Sequence, residues 1–149
     1  MRIALIAALC VLAGAAVPAA GAKASCTAGV KTVGGITQRT FCGPAKATVH
    51  YGTQTWHLTQ GQCSKSGGYF TVNIGTVVLG MTSKPKPDYF GLTAQGAKAV
   101  AIAVDHGGKG YAVRADTAKV KLLPGQKGGT FSGTSFADGS KVTGSFSCS

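Results

Sequence analysis

Three imidazoles, four aspartates, five cysteines and a scatter of lysines are the residues here whose chemistry could do work. His50 and His57 are seven residues apart in a strand-like stretch, and two imidazoles on one strand face could hold copper or zinc if a third ligand joined them. No carboxylate or thiol stands near them in sequence, so they read first as solvated strand residues. His106 follows Asp105, but adjacency along the chain is not the geometry of a nucleophile, base and carboxylate set. The chain has no Gly-x-Ser-x-Gly segment, and Gly133-Thr134-Ser135-Phe136 does not supply one. With four scattered aspartates and no glutamate, the paired carboxylates of glycoside hydrolysis are a poor fit. Gly107-Gly108-Lys109-Gly110 lacks the spacing of a phosphate loop and reads as a turn. The expectation is a protein that is not an enzyme and carries no cofactor.

Charge supplies the other chemistry. Fifteen Lys and Arg face four Asp, a formal net charge of +11. Such a balance attracts polyanions weakly: anionic envelope polymers or lipid head groups. The lysines occur singly, without a nucleic-acid-binding motif, so no specific nucleic acid is expected. Tyr89 and Phe90 follow on the Lys84-Pro85-Lys86-Pro87 loop and are the aromatic pair singled out for recognition. Lys84, Lys86, Tyr89 and Phe90 are therefore the binding candidates.

The amino-terminal stretch bears on where this chemistry would operate. Arg2, an apolar run from Ile3 to Val17 and the small residues Ala19 to Ala24 are what the export machinery and signal peptidase read. The run is too short for a membrane span. Residues 1–24 are expected to be a signal peptide, cleaved after Ala22 or Ala24, and the mature chain to be secreted or extracytoplasmic, with a net charge of about +9. Cys10 would leave with the signal. Cys26, Cys42, Cys63 and Cys148 then form an even set with three possible connectivities. We favour Cys26–Cys42 as a local clip and Cys63–Cys148 as a tie between the last strand and an early one, worth roughly 4 kcal/mol in the chain-entropy model.

The elements that must position these residues are strands. Ala45, Ala47, Val49 and Tyr51 share one face and Lys46, Thr48 and His50 the other. Gly52-Thr53 suits a two-residue hairpin turn into Gln54 to Leu58. That register sets Val49 opposite Trp56, Ala47 opposite Leu58, His50 opposite Thr55 and Thr48 opposite His57. Tyr69 to Leu79 alternates as a strand, and the Lys-Pro-Lys-Pro stretch forces a loop. In Ala97 to Val104 the residues Val100, Ile102 and Val104 alternate as in a strand, leading into a hairpin with Tyr111 to Arg114. Lys119 to Leu122 alternates again. Thr130 to Thr134, a turn near Asp138-Gly139, and Val142, Gly144, Phe146 and Cys148 on one face make a closing hairpin. The prediction is all-β: a small disulfide-stabilised antiparallel sandwich or partly closed barrel. Residues 25–44 form a disulfide-clipped segment and 45–149 the β domain. The aromatic middle, Tyr51, Trp56, Tyr69, Phe70, Tyr89 and Phe90, could line a ligand groove or supply core.

Gly61-Gln62-Cys63, the run from Gly68 to Gly75, Phe131 to Thr134 and the ending Val142 to Ser149 together resemble the LpqH-type lipoprotein antigens of actinobacterial envelopes, over roughly residues 48–149. The resemblance implies a small β-rich envelope protein, a Cys63–Cys148 bridge and surface interaction in place of catalysis. Members of that family carry a lipid on a cysteine preceded by an apolar-small-small triplet. Here Cys26 follows Lys23-Ala24-Ser25, with Lys where Leu is expected, so a lipid anchor at Cys26 is the alternative to a disulfide. The leading functional expectation is an exported, non-catalytic envelope or extracellular binding protein. A small-ligand or metal carrier using the aromatic middle or His50 and His57 comes second, and a secreted hydrolase third.

Overall fold

The computed structural model describes residues 25–80 and 82–149, so the expected signal peptide, its cleavage site and Cys10 lie outside the described residues. Residues 25–44 supply a hairpin, β1 (Gly29–Val33) and β2 (Ile36–Phe41). The rest builds β3 (Ala45–Tyr51), β4 (Gln54–Ser66), β5 (Tyr69–Leu79), β6 (Tyr89–Gln95), β7 (Lys98–His106), the two-residue β8 (Lys109–Gly110), β9 (Lys119–Leu122), β10 (Gly128–Thr134) and β11 (Lys141–Ser147). No helix among the described residues is long and apolar enough to cross a membrane.

Of the two architectures expected, the chain forms the barrel, and it closes. Going round in the order β5, β4, β3, β11, β10, β9, β7, β6, every strand is antiparallel to its neighbours, and β6 pairs back onto β5. The first hairpin has the expected register, Val49↔Trp56, Ala47↔Leu58, His50↔Thr55 and Thr48↔His57, with Gly52 at φ +56° supplying the turn. The last hairpin turns at Gly139, φ +73°, and aligns Phe131 with Gly144. A side chain at Gly144 would collide with the Phe131 ring and the Thr48 carbonyl, so glycine there leaves room for the ring.

Two bulges bend the wall. Between Ala45↔Gly61 and Ala47↔Leu58 one extra residue enters β4, and Gln60 there adopts φ +67°. The bulge turns a 13-residue strand so that its first half pairs with β3 and its second with β5. The second lies in β7, between Thr93↔Ala101 and Ala94↔Ala99. It corrects the alternation expected for this segment. Ala99, Ile102 and Val104 face the core, whereas Val100 is 41% exposed, because the extra residue shifts the faces by one.

The interior is filled by alternate residues, as an eight-stranded barrel permits. Val49, Val72, Ile74, Phe90, Leu92 and Val142 are fully buried. Phe90 packs on Phe131 at a ring-centroid separation of 5.0 Å, and Phe70 on Phe146 at 6.0 Å. The segment from Tyr89 to Gln95 is thus a core strand, and Phe90 takes the core role that was one of the two expected for the aromatic middle.

The wall is thin in two places. β7 and β9 share one aligned pair, Lys98↔Lys119. Higher up, residues 111–114 fill the seam: Tyr111 N–H donates to Val104, Val113 N–H to Ile102, and Arg114 N–H to Thr134. At the opposite end β3 begins at Ala45, opposite Gly61; β4 runs on past it to Ser66, whereas β11 ends at Ser147, opposite Lys46. There Cys63, in the extension of β4, is bonded to Cys148, the residue after β11, with Cα atoms 5.6 Å apart, and the bond ties the two across the start of β3. The second disulfide, Cys26–Cys42, fastens the chain ahead of β1 to the end of β2. A bonded Cys26 leaves no thiol for a lipid.

Replacing Cys63 and Cys148 together by alanine is expected to lower the unfolding free energy by about 2–5 kcal/mol in urea titrations. The Cys26 and Cys42 double replacement is expected to act locally, because all of β1 is exposed. It should speed amide exchange in 29–41 and move the urea midpoint less. Equal midpoint shifts for the two pairs would contradict this division of labour.

Candidate functional site

The sequence candidates do not come together. Phe90 is inside the barrel at 0% exposure and presents no ring to a partner. Tyr89 faces outward but is 8% exposed, with its hydroxyl donating to Asn73 Oδ1 at 2.7 Å and its ring near Phe41. Burial, and then the Asp105 charge, raise its pKa, and Arg39 works against them. Lys86 is drawn to Asp105, Nζ to Oδ1 3.6 Å. Burial raises the Asp105 pKa, and Lys86 offsets this in part. Lys84 Nζ reaches back to the Gly34 carbonyl at 3.2 Å. The Lys-Pro-Lys-Pro stretch is a brace between the N-terminal hairpin and the barrel, and its aromatics are packing residues.

The aromatic middle divides as well. Tyr51, Trp56, His106 and Tyr111 meet at one end of the barrel, with Trp56 stacked on His106 at 4.6 Å and Tyr51 at 4.6 Å from Tyr111. Two carboxylates flank this cluster. Asp88 Oδ2 is 3.1 Å from His106 Nδ1, a nitrogen that is buried and makes no directed hydrogen bond, so the contact is electrostatic proximity. Tyr51 donates its hydroxyl to Asp138, which also accepts from the Ser140 amide, and these bonds hold the Asp138 carboxyl down at about 2. The rings cover one another and close this end.

A different set of residues does come together. Five neighbouring strands, β9, β10, β11, β3 and β4, present one continuous outer face. Antiparallel register carries one row of side chains across it as Lys119, Ser132, Thr143, His50 and Thr55. The next row is Lys121, Thr130, Ser145, Thr48 and His57. All ten are lysine, hydroxyl or imidazole, and neither row contains an acid or an apolar side chain. Lys46 and Ser147 extend the face beside the second row. Within it, Thr48 Oγ1 is 3.2 Å from His57 Nδ1, and His50 Nδ1 is 2.9 Å from Thr55 Oγ1. The two imidazoles are diagonal neighbours as the hairpin register requires. Among the described residues no third His, Cys, Asp or Glu joins them.

The charges are segregated. The four aspartates are each engaged: Asp88 beside His106, Asp105 with Lys86, Asp116 with Arg114 and Asp138 with Tyr51. Among the described residues Lys46, Lys98, Lys119 and Lys121 enter no ion pair, and Lys98 stands directly opposite Lys119 across a strand pair, an arrangement that costs stability.

The polar outer residues of each strand are legible as alternation. Their alignment into rows is not, because β11 meets β3 across almost the whole length of the domain. Comparison with protein families, with curated proteins and with solved structures finds no match to this chain.

Asp138 makes the closed end of the barrel sensitive to acid. Its depressed pKa contributes stability that is complete above the unfolded value near 4 and is lost as pH falls toward 2. Tyr51→Phe removes the leading cause. The carboxyl should climb toward its ordinary range in NMR titration, with a smaller stability loss between pH 4 and pH 2. An unmoved Asp138 would mean that the Tyr51 bond does not hold it.

Proposed function

We propose that this is an exported, non-catalytic binding protein of the envelope or extracellular space, and that it contacts anionic surfaces through the outer face of β9, β10, β11, β3 and β4. The observation that carries this reading is the pair of cross-strand rows, ten lysine, hydroxyl and imidazole side chains with no acid among them. Ammonium groups supply attraction, and hydroxyls supply donors that can replace the hydration of an anionic oxygen. Full pairing of the four described cysteines supports an oxidising compartment. The absence of carboxylates from the face supports binding in place of acid-base chemistry.

The attraction is modest and screened. The Debye length falls from about 10 Å at 0.1 M salt to about 3 Å at 1 M, so binding to a polyanion such as heparin should weaken steeply over that range. A lysine near an anionic surface contributes about 1 kcal/mol, so Lys119→Glu with Lys121→Glu should weaken binding roughly tenfold or more. Lys31→Glu with Lys109→Glu carries the same charge change on exposed residues outside the face and should cost much less. Equal losses would indicate a diffuse charge effect without a site, and binding undiminished at 1 M salt would remove the electrostatic basis.

A further inference from the structure

The basic face contains two shallow depressions of similar make. One, of about 140 Å³, lies along the β3–β11 seam and is bordered by Lys46, Thr48, Ser145 and Ser147. The other, of about 170 Å³, lies along the β9–β10 seam and is bordered by Lys119, Lys121, Thr130 and Ser132. Each offers ammonium and hydroxyl donors with no competing carboxylate. That is the donor set for a carboxylate, sulfate or phosphate-ester group. The register ties them together, since Thr130 aligns with Ser145 and Lys121 with Thr130. From one seam to the other is two inter-strand spacings, about 10 Å.

We propose that the two depressions act as paired cradles for a single linear anionic glycan lying across the strands, each cradle taking one charged group and the two standing about 10 Å apart. This rests on the anionic-surface reading above and names its ligand class. A lipid surface fits less well, because the rows have no apolar side chain to enter a bilayer. A linear chain gains from the pairing: once one cradle is filled, the other is offered a tethered group at high effective concentration.

The test uses heparin-derived oligosaccharides of defined length, titrated calorimetrically into the protein at 0.1 M salt. A disaccharide should bind weakly at two sites per protein. An octasaccharide should bind once per protein, with a Kd lower by about tenfold or more. Lys46→Glu alone, or Lys119→Glu with Lys121→Glu, should each return the octasaccharide to disaccharide-like affinity, because losing either cradle abolishes the bridge. Lys46→Gln should give a smaller loss in the same direction. All these residues are exposed, and unchanged circular dichroism and melting would confirm folded variants. Length-independent affinity per disaccharide, or a length gain that survives Lys46→Glu, would overturn the paired cradles while leaving the anionic-surface reading standing. Tighter binding to phosphatidylglycerol vesicles than to the octasaccharide would overturn the glycan assignment. No binding of any of these probes by the wild-type protein would defeat both readings.

Discussion

Closure of the sheet on itself is the constraint on which the rest depends. An open antiparallel sheet leaves two rows of unpaired backbone groups, and closing it into eight strands satisfies them while forcing successive residues to face alternately into a packed interior and out to solvent. Closure here is not uniform. It relies on a single aligned pair between β7 and β9, on residues 111–114 pairing in the upper seam, and on a covalent bond between the extension of β4 and the end of β11 at the start of β3. The Cys63–Cys148 bridge therefore does more than cross-link distant points in sequence. It ties the extension of β4 to the residue after β11, across the start of the strand that lies between them.

The alternation that closure imposes also sorts the chemistry. Inward positions take Val, Ile, Leu, Phe and Ala. Outward positions in the two rows across β9, β10, β11, β3 and β4 take Lys, Ser, Thr and His. The aspartates are spent elsewhere, in bonds that brace loops and the closed end: Asp88 accepts the Gly107 amide, Asp138 holds Tyr51, and Asp105 faces Lys86. A basic protein with few acids that commits every one of them leaves this part of its wall with hydroxyls and lysines and no acid to offset the lysines. Opposed Lys98 and Lys119 mark the resulting repulsion, which an anionic ligand would relieve.

The N-terminal hairpin stands apart from this logic. All of β1 is exposed, yet the hairpin is pinned by Cys26–Cys42, by the pairing of β2 with the second half of β5 and by Lys84 at its tip. The Lys-Pro-Lys-Pro stretch thus takes a structural task that its composition did not announce. Its prolines hold the chain extended while Lys84 and Lys86 reach in opposite directions, to Gly34 and to Asp105.

Much of this architecture was legible because period-two alternation and glycine turns are local signals. The Ala45–Leu58 register, the Tyr69–Leu79 strand and the closing hairpin follow from side chains a few residues apart, as does the assignment of each polar residue to an outer face. Three features required the folded chain. Phe90 looked available next to a polar loop, but β6 lies between β5 and β7, and that burial depends on partners distant in sequence. Val100 fell out of its expected alternation because a bulge, which local sequence does not mark, adds one residue against β6. The basic face exists only because β11 returns to lie against β3, bringing Ser145 beside Thr48 and Thr143 beside His50. The sequence by itself determined which way side chains point along the regular stretches of each strand, though not across the bulges. Which strands stand side by side, and therefore which side chains form a surface together, was decided by the long-range pairing that closes the barrel.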